Sequence, residues 1–457
     1  MKEAILESTA TSLKDSRLAV ASVIAALFLA AVDSTIVSTA LPSIAAQLGT
    51  PELYPWIMSG FLLPVALVAP LAGACADRLG VSAVLKLCLI VFLAASACAA
   101  LSPSMPLLIA ARVLQGASAG GIIVLAYSML ANLFDAERRG RMQGMLSTVW
   151  GLSAVAGPLL GSALDVAFGW RAIFWFNLPV GVAALSMLCI APGVGKPAGN
   201  ARVDLPAQAL MIILLCSVLL LVSQPGDTTQ VQYGLFGAAA AASALLVARI
   251  APDRQRSPLP LAFFQRRALL SATGIVLLSS GGLFASVTLA PLVLKPMAGA
   301  SLSTGVIVMM AALGWVAGAA LCGARLARAG YRTMAGAGML LLAAGCFTMP
   351  FALEHQLVPL AAAALALVGL GMGFAATTTL VFAQNSAPVG RLASWTSTVQ
   401  CLRNLGAALG VNALGTIQLR LSGDASFQTC FTILGSAMLA GLIVSLFLPA
   451  QYQVDHD

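Results

Sequence analysis

The chain has 457 residues, 60% of them hydrophobic and only 9% charged, with a mean hydropathy of +0.96. Charged residues make up about a quarter of an ordinary soluble domain, so the composition excludes one and makes lipid the solvent for most of the sequence. The formal charge of +8 reads as basic loops held on the cytoplasmic side against anionic lipid, not as nucleic-acid binding.

The first residues mix acids and bases. The apolar run that follows from Leu18 is longer than a secretory h-region, so it is expected to be a retained first span. A spanning helix needs roughly 20 mostly apolar residues. On that rule the candidates are residues 18–42, 54–76, 83–101, 105–131, 142–164 and 171–192, then 205–224 and 231–250. The last six are 268–294, 302–324, 333–353, 357–383, 392–417 and 429–449. The pattern is six, two and six, fourteen transmembrane helices in an all-α membrane protein. It implies an N-terminal six-helix bundle over 1–192, two inserted helices and a connector over 193–266, and a C-terminal six-helix bundle over 267–457.

The basic residues fit this map with both termini cytoplasmic. Of the 24 Lys and Arg, only Arg171, Lys295 and Arg420 fall in external segments, and only Arg112 and Arg403 within spans. Losing one helix would swap the sides of every later loop and destroy that bias. The connector "APDRQRSPLPLAFFQRRA" is basic and Pro-rich, with Leu259 to Phe264 expected along the membrane surface. The Trp residues (Trp56, Trp150, Trp170, Trp175, Trp315 and Trp395) mostly lie near predicted helix ends and read as interfacial anchors.

The second half echoes the first. "GACADRLG" (Gly73–Gly80) closes the second span, and "GARLARAG" (Gly323–Gly330), 250 positions later, closes the tenth. The same shift carries the fifth span onto the thirteenth and Arg141 onto Arg391, as expected of parallel repeats.

Among the 16 acids only Asp33 lies deep in a span, about 13 Å below its external end at 1.5 Å per residue. A carboxylate removed from water can exchange a proton near neutral pH, and an acid within a membrane is functional by default. Asp33 is therefore the candidate proton carrier. Arg112 enters the fourth span to a similar depth, about 10 Å below Met105, where a guanidinium would hold the ionised aspartate. Arg403 lies near mid-membrane in the thirteenth span and reads equally as a brace or a substrate contact. Asp77 and Arg78, at the cytoplasmic end of the second span, are placed to bind facing helix ends, Arg139 or Arg141 among them, as an inner gate. In the fifth span Pro158 breaks the helix ladder, and Gly157 with Gly161 forms a small-xxx-small pair that admits a close neighbour. Met309, Met310, Phe374 and Phe382 are candidates to line an apolar pocket.

The motifs together resemble the major facilitator superfamily, in particular its fourteen-helix drug:proton antiporter branch. "AAVDSTIVSTALP" is similar to that branch's first-helix signature, and "GACADRLG" to the first half of the superfamily's loop motif between helices 2 and 3. "RVLQGASAG", with Arg112, Gln115 and Gly116, resembles the fourth-helix motif. "GLSAVAGPLLG" resembles the antiporter motif of helix five, and "GWRAIFWFNLPVG" the start of helix six. The loop motif usually ends with two basic residues, where this chain has Val81 and Ser82. The resemblance implies a major facilitator fold whose two bundles rock about a central cavity. It implies proton coupling through Asp33 and Arg112, gating by Asp77, Arg78 and Arg139, and a sealing role for Gly157, Pro158 and Gly161. Arg403, Asp33 and Gln115 are the residues expected at the substrate cavity.

The expected function is proton antiport exporting drugs or other amphipathic toxic compounds across the bacterial cytoplasmic membrane. The partners are a small-molecule substrate, protons and the lipid bilayer, with the chain acting as a monomer. The alternative is export of an endogenous metabolite or siderophore, possibly anionic, through Arg403. No cofactor or metal is expected: "GVGKPAG" lacks the spacing of a phosphate-binding loop, and the nine Cys are scattered without a CxxC pair. No cluster of residues suggests an enzyme.

Overall fold

The computed structural model describes residues 2–49, 53–191, 204–223, 229–251, 259–298, 301–420 and 425–451. The segment "GVGKPAG" and the predicted boundary at 192–193 lie outside the described residues. Within them the chain is helical, as lipid demands of a backbone whose polar groups have no water to turn to. The helices are α1 (Lys2–Leu48), α2 (Tyr54–Leu79), α3 (Val81–Ala100), α4 (Met105–Leu133), α5 (Ala136–Phe168), α6 (Arg171–Ile190), α7 (Leu205–Ser223) and α8 (Thr229–Ile250). They continue with α9 (Arg267–Ala298), α10 (Ser301–Glu354), α11 (Val358–Asn385), α12 (Leu392–Arg420) and α13 (Ala425–Ser445). Stretch α10 is two helices joined at Gly330, which has φ 79° and ψ 167°. The fourteen helices fall on the fourteen predicted segments.

Among the described residues, eleven helical stretches are long and apolar enough to cross a membrane, α10 being counted once. Helix α12 is not among them, because its N-terminal half is polar inside: Ser394, Thr396, Ser397, Thr398, Gln400 and Arg403 are all buried. Within the segment 259–264 lies a short 3-10 turn, Leu261–Phe264, with Phe263 buried. The turn packs beside α9, and the Phe263 ring lies edge-on to Phe264.

The residues group into two compact units. One comprises Met1–Asp135, Leu152–Val203 and Pro388–Ser397; the other comprises Ala136–Gly151, Asp204–Ala387 and Thr398–Asp457. Helices α5 and α12, related by the shift of 250, are each divided between the units. In the first unit, α2 and α4 pack so closely at Gly116 and Gly120 that a Cβ on either would collide with the carbonyls of Phe61 and Val65. In the second, Gly369 and Gly373 of α11 meet the α10 backbone at Ala311 and Trp315 in the same way. Helices α7 and α8 form a hairpin tied by Asp204, whose carboxylate accepts the amide of Ala207 and pairs with Arg249 at 2.9 Å.

Two Trp residues depart from the anchor reading. Trp170 and Trp395 are 1% and 2% exposed. Gly169, with φ 80°, turns the chain so that the Trp170 indole is buried and donates to Gln47 at 2.8 Å. Phe374 and Phe382 are likewise core residues, Phe382 lying edge-on to the buried Tyr331.

Candidate functional site

Four helices of the first unit bring five buried polar side chains into one closed ring. Asp33 comes from α1, Ser96 from α3, Arg112 and Gln115 from α4, and Asn177 from α6, and each is 0% exposed. Arg112 donates through Nη1 to Asp33 Oδ2 at 2.5 Å and to Gln115 Oε1 at 3.0 Å. Gln115 Nε2 donates to the Ser96 hydroxyl oxygen at 2.7 Å. Asn177 Nδ2 closes the ring, donating to Asp33 Oδ1 at 2.7 Å and to Ser96 at 3.3 Å. The three-residue spacing on α4 sets Arg112 and Gln115 on one face.

The guanidinium has further contacts at Nε and on its faces, while among the described residues Nη2 is buried without a hydrogen-bond partner. Its Nε donates to the Ile57 carbonyl at 3.4 Å, and its plane stands 4.1 Å from the Phe61 ring centre and 5.9 Å from that of Phe174. A planar cation suits such aromatic faces. Towards the predicted external ends of the helices, Ile57, Met105, Leu108, Trp170 and Phe174 form an apolar plug. The charges therefore meet where water does not screen them, and removing either one would strand the other.

The helix-five motif lies against the same α1. A Cβ on Gly157 would strike Thr35 Oγ1, and one on Gly161 would strike Thr39 Oγ1 and approach the Ile36 carbonyl. Thr35 Oγ1 also donates to the Ser153 carbonyl across the contact, at 3.3 Å. Pro158 follows at a half-buried position of α5.

At the C-terminal end of α2, the Asp77 carboxylate accepts the backbone amides of Ala393 and Ser394, both at 3.0 Å. It thereby caps the first turn of α12, where unpaired amides and the helix dipole favour an anion. Gly73, one turn earlier on α2, sits against the Ala393 carbonyl and Ser397. Arg78 is exposed. In the second unit, Arg139 donates to Asn385 Oδ1 at 2.6 Å and to the Gln384 carbonyl at 3.4 Å, and Asn385 in turn donates to the Tyr331 hydroxyl at 2.9 Å. There Gly140 meets Gly323 backbone to backbone, and Gly144 meets Ala320.

The structure thus brings Asp33, Arg112 and Gln115 together and sets Gly157 and Gly161 on the helix that carries Asp33. Asp77 and Arg139 belong to different units, each with its own partners. Arg403 is buried in the second unit, 6% exposed. Two ring members, Ser96 and Asn177, were not singled out from the sequence. The usable signal was Asn177, a lone amide inside "GWRAIFWFNLPVG" in an otherwise apolar span.

The model of the Major Facilitator Superfamily matches residues 23–411. The chain belongs to that superfamily. It is a multi-pass membrane transporter of a family whose members carry small-molecule substrates. The multidrug transporter protein MdtP of Bacillus subtilis (strain 168) is 30% identical over 415 residues, covering 89% of this chain and 76% of that protein. A multidrug resistance protein B homolog of Mycobacterium tuberculosis (strain ATCC 25618 / H37Rv) is 33% identical over 353 residues, 76% of this chain and 65% of its own. The chain thus spans just under two thirds of that second relative. Among solved structures, the human organic anion transporter MFSD10 (TETRAN) superposes with a TM-score of 0.69 at 18% identity, covering 94% of this chain and 99% of that one. The proton:xylose symporter XylE gives 0.70 at 14% identity, covering 96% and 98%. At those identities the likeness is one of fold.

Proposed function

We propose that this superfamily member is a proton-coupled antiporter that exports drugs or other amphipathic toxic compounds across the bacterial cytoplasmic membrane. The observation that carries the reading is the Asp33–Arg112 pair, fully buried at 2.5 Å on the first and fourth helices. The names of the multidrug relatives in two bacteria support the substrate class. All fourteen helices cross the membrane with both termini cytoplasmic. Two six-helix bundles, 1–192 and 267–457, rock about a central cavity, with α7 and α8 between them.

The chemistry follows from the ring. With Asp33 ionised, Arg112 is neutralised and the ring is closed. A proton arriving from outside converts the carboxylate to an acid, the charge that held Arg112 is gone, and α4 is released from α1. Loss of that proton to the cytoplasm re-forms the pair. Asp77 holds the α12 amides while the cytoplasmic side is shut, with Arg78 and Arg139 completing the gate. Gly157, Pro158 and Gly161 keep α5 close to α1 and seal the path alongside. Drug is bound in the cavity by Gln115, Asp33 and Arg403.

The test is substrate-driven proton movement in everted vesicles. Asp33→Asn, which keeps the shape and removes the titratable group, is expected to abolish it. Coupling that persists in that variant would reject the assignment. A second reading, export of an anionic endogenous metabolite or siderophore, is favoured by the buried Arg403. A panel of dyes separates the two, since a metabolite exporter protects cells against few of them.

A further inference from the structure

We infer that Asn177 is the positioning residue that keeps Asp33 hydrogen-bonded to α6 in both of its protonation states, by turning its side-chain amide over. This rests on the reading of Asp33 as the proton carrier. The observation behind it is an imbalance in the ring. Asp33 accepts from both neighbours, and Ser96 also accepts from both, from Gln115 and from Asn177. Asn177 donates twice through Nδ2, while its Oδ1 is buried with no hydrogen-bond partner. A buried amide oxygen left without a donor costs about 1–3 kcal/mol. Among the described residues the Ser96 hydroxyl likewise has no acceptor for its own proton.

One rotation gives an acceptor both to the Ser96 proton and to a proton on Asp33, and sets Nδ2 where Oδ1 had no partner. When Asp33 takes up a proton on Oδ1, the new O–H needs an acceptor, and Arg112 has none to offer, because a guanidinium only donates. Half a turn about the Asn177 Cβ–Cγ bond exchanges Nδ2 and Oδ1. The carbonyl oxygen then stands where Nδ2 stood, next to Asp33 and Ser96, and accepts from both the new carboxylic O–H and the Ser96 O–H. Two hydrogen bonds exist before and two after, with every direction reversed. The proton comes from water on one side and leaves to water on the other, and no other bond is made or broken. Leucine offers neither role, and aspartate would place a second anion beside the first.

The surroundings leave this pair isolated. From α4 the charged group facing Asp33 is Arg112. Helix α6 presents Asn177, and α2 presents the Ile57 carbonyl and the Phe61 ring to Arg112. Beside Asp33, helix α5 meets α1 through Gly157 and Gly161, which carry no charge; its Asp165 carboxylate meets α1 farther along, at the Ser43 hydroxyl.

The experiment is an infrared difference titration of the purified full chain, grown with asparagine labelled with ¹³C at the side-chain carbonyl. The expected result is an asparagine carbonyl band that shifts with the same midpoint as the carboxylic-acid band of Asp33, both bands vanishing in Asp33→Asn. An Asp33 band that titrates with no matching asparagine shift would overturn the amide rotation and leave the proton carrier standing. Absence of any Asp33 band would sink the carrier reading itself, and the rotation with it. A second arm compares Asn177→Ser, whose hydroxyl can donate or accept, with Asn177→Val, using ethidium-driven proton movement. Coupling in the Val variant should fall roughly tenfold to a hundredfold below that in the Ser variant, the effect of stranding one buried polar group. Equal rates in the two would overturn the inference.

Discussion

Gly80 and Gly330 stand 250 positions apart and both carry positive φ, 91° and 79°. Each closes a helix and starts the next with no intervening loop, α2 to α3 and the two limbs of α10. A left-handed residue at such a join is one that Gly adopts without a steric penalty. The duplication is thus built into the backbone, and it extends to the contacts nearby. Gly73 and Gly323, again 250 apart, each sit against a neighbouring backbone, Gly73 on α12 and Gly323 on α5. The chemistry beside the two differs. Asp77 caps α12 next to the first contact, whereas its repeat-related position is Ala327.

That asymmetry predicts the effect of Asp77→Ala. Hydrogen bonds to a charged group contribute about 1.5–3 kcal/mol, so losing both α12 amide contacts should free the first turn of α12. Hydrogen exchange at Ala393 and Ser394 is expected to rise by roughly tenfold or more. Asp77→Asn, which keeps an acceptor without the charge, should fall between wild type and Ala. Unchanged protection in Asp77→Ala would show that the cap is idle.

The glycine contact predicts a different failure. A Cβ on Gly323 would collide with the Gly140 carbonyl, and backbone cannot step aside as a flexible side chain can. Gly323→Ala should cost roughly 1–3 kcal/mol of packing and lower the transport rate at least about tenfold. Gly234→Ala and Gly237→Ala on α8, where nothing lies within 4 Å of the added carbon, serve as controls and should transport like wild type.

Arg112 offers a cycle that separates charge from packing. Removing one partner of a buried pair typically costs about 3–5 kcal/mol, because the other charge is stranded. Arg112→Ala should therefore lower the thermal unfolding midpoint sharply, and Asp33→Asn in the same chain should restore part of it. A double variant no more stable than Arg112→Ala would mean that the loss came from the Phe61 stacking and not from the ion pair.

Much of this arrangement was legible in the residues because lipid makes the rules severe. Apolar runs of spanning length located the helices, and the rarity of acids inside them made Asp33 stand out. The ring's remaining members were harder to see. Ser96 and Asn177 are neutral, so they leave no mark when charges are counted, and which face α6 turns to α1 is decided by packing. Asp77's partners are backbone amides, which no residue type announces. Trp170 and Trp395 carry the same sequence signature as an interfacial anchor, and only the turn at Gly169 reveals that Trp170 points inward. Helix α12, expected at 392–417, shows the opposite case: its buried Ser, Thr, Gln and Arg side chains lower its hydropathy although they face protein.

The α1–α5 contact supplies the last prediction, because both of its sides are known. Gly157 has room for no Cβ, and the atom in the way is the Thr35 hydroxyl, two residues from Asp33. Gly157→Ala should push α1 aside and reduce coupled transport, since a displaced α1 carries Asp33 away from Arg112 and Asn177. Thr35 is not itself a ring member, and its hydroxyl donates to the Val32 and Ser153 carbonyls. Removing the obstruction should therefore relieve the defect: Thr35→Ala in the Gly157→Ala background is expected to regain most of the lost rate, measured as drug-driven proton movement in everted vesicles. A double variant as slow as Gly157→Ala would mean that the glycine serves helix bending beside Pro158 instead of close approach to α1.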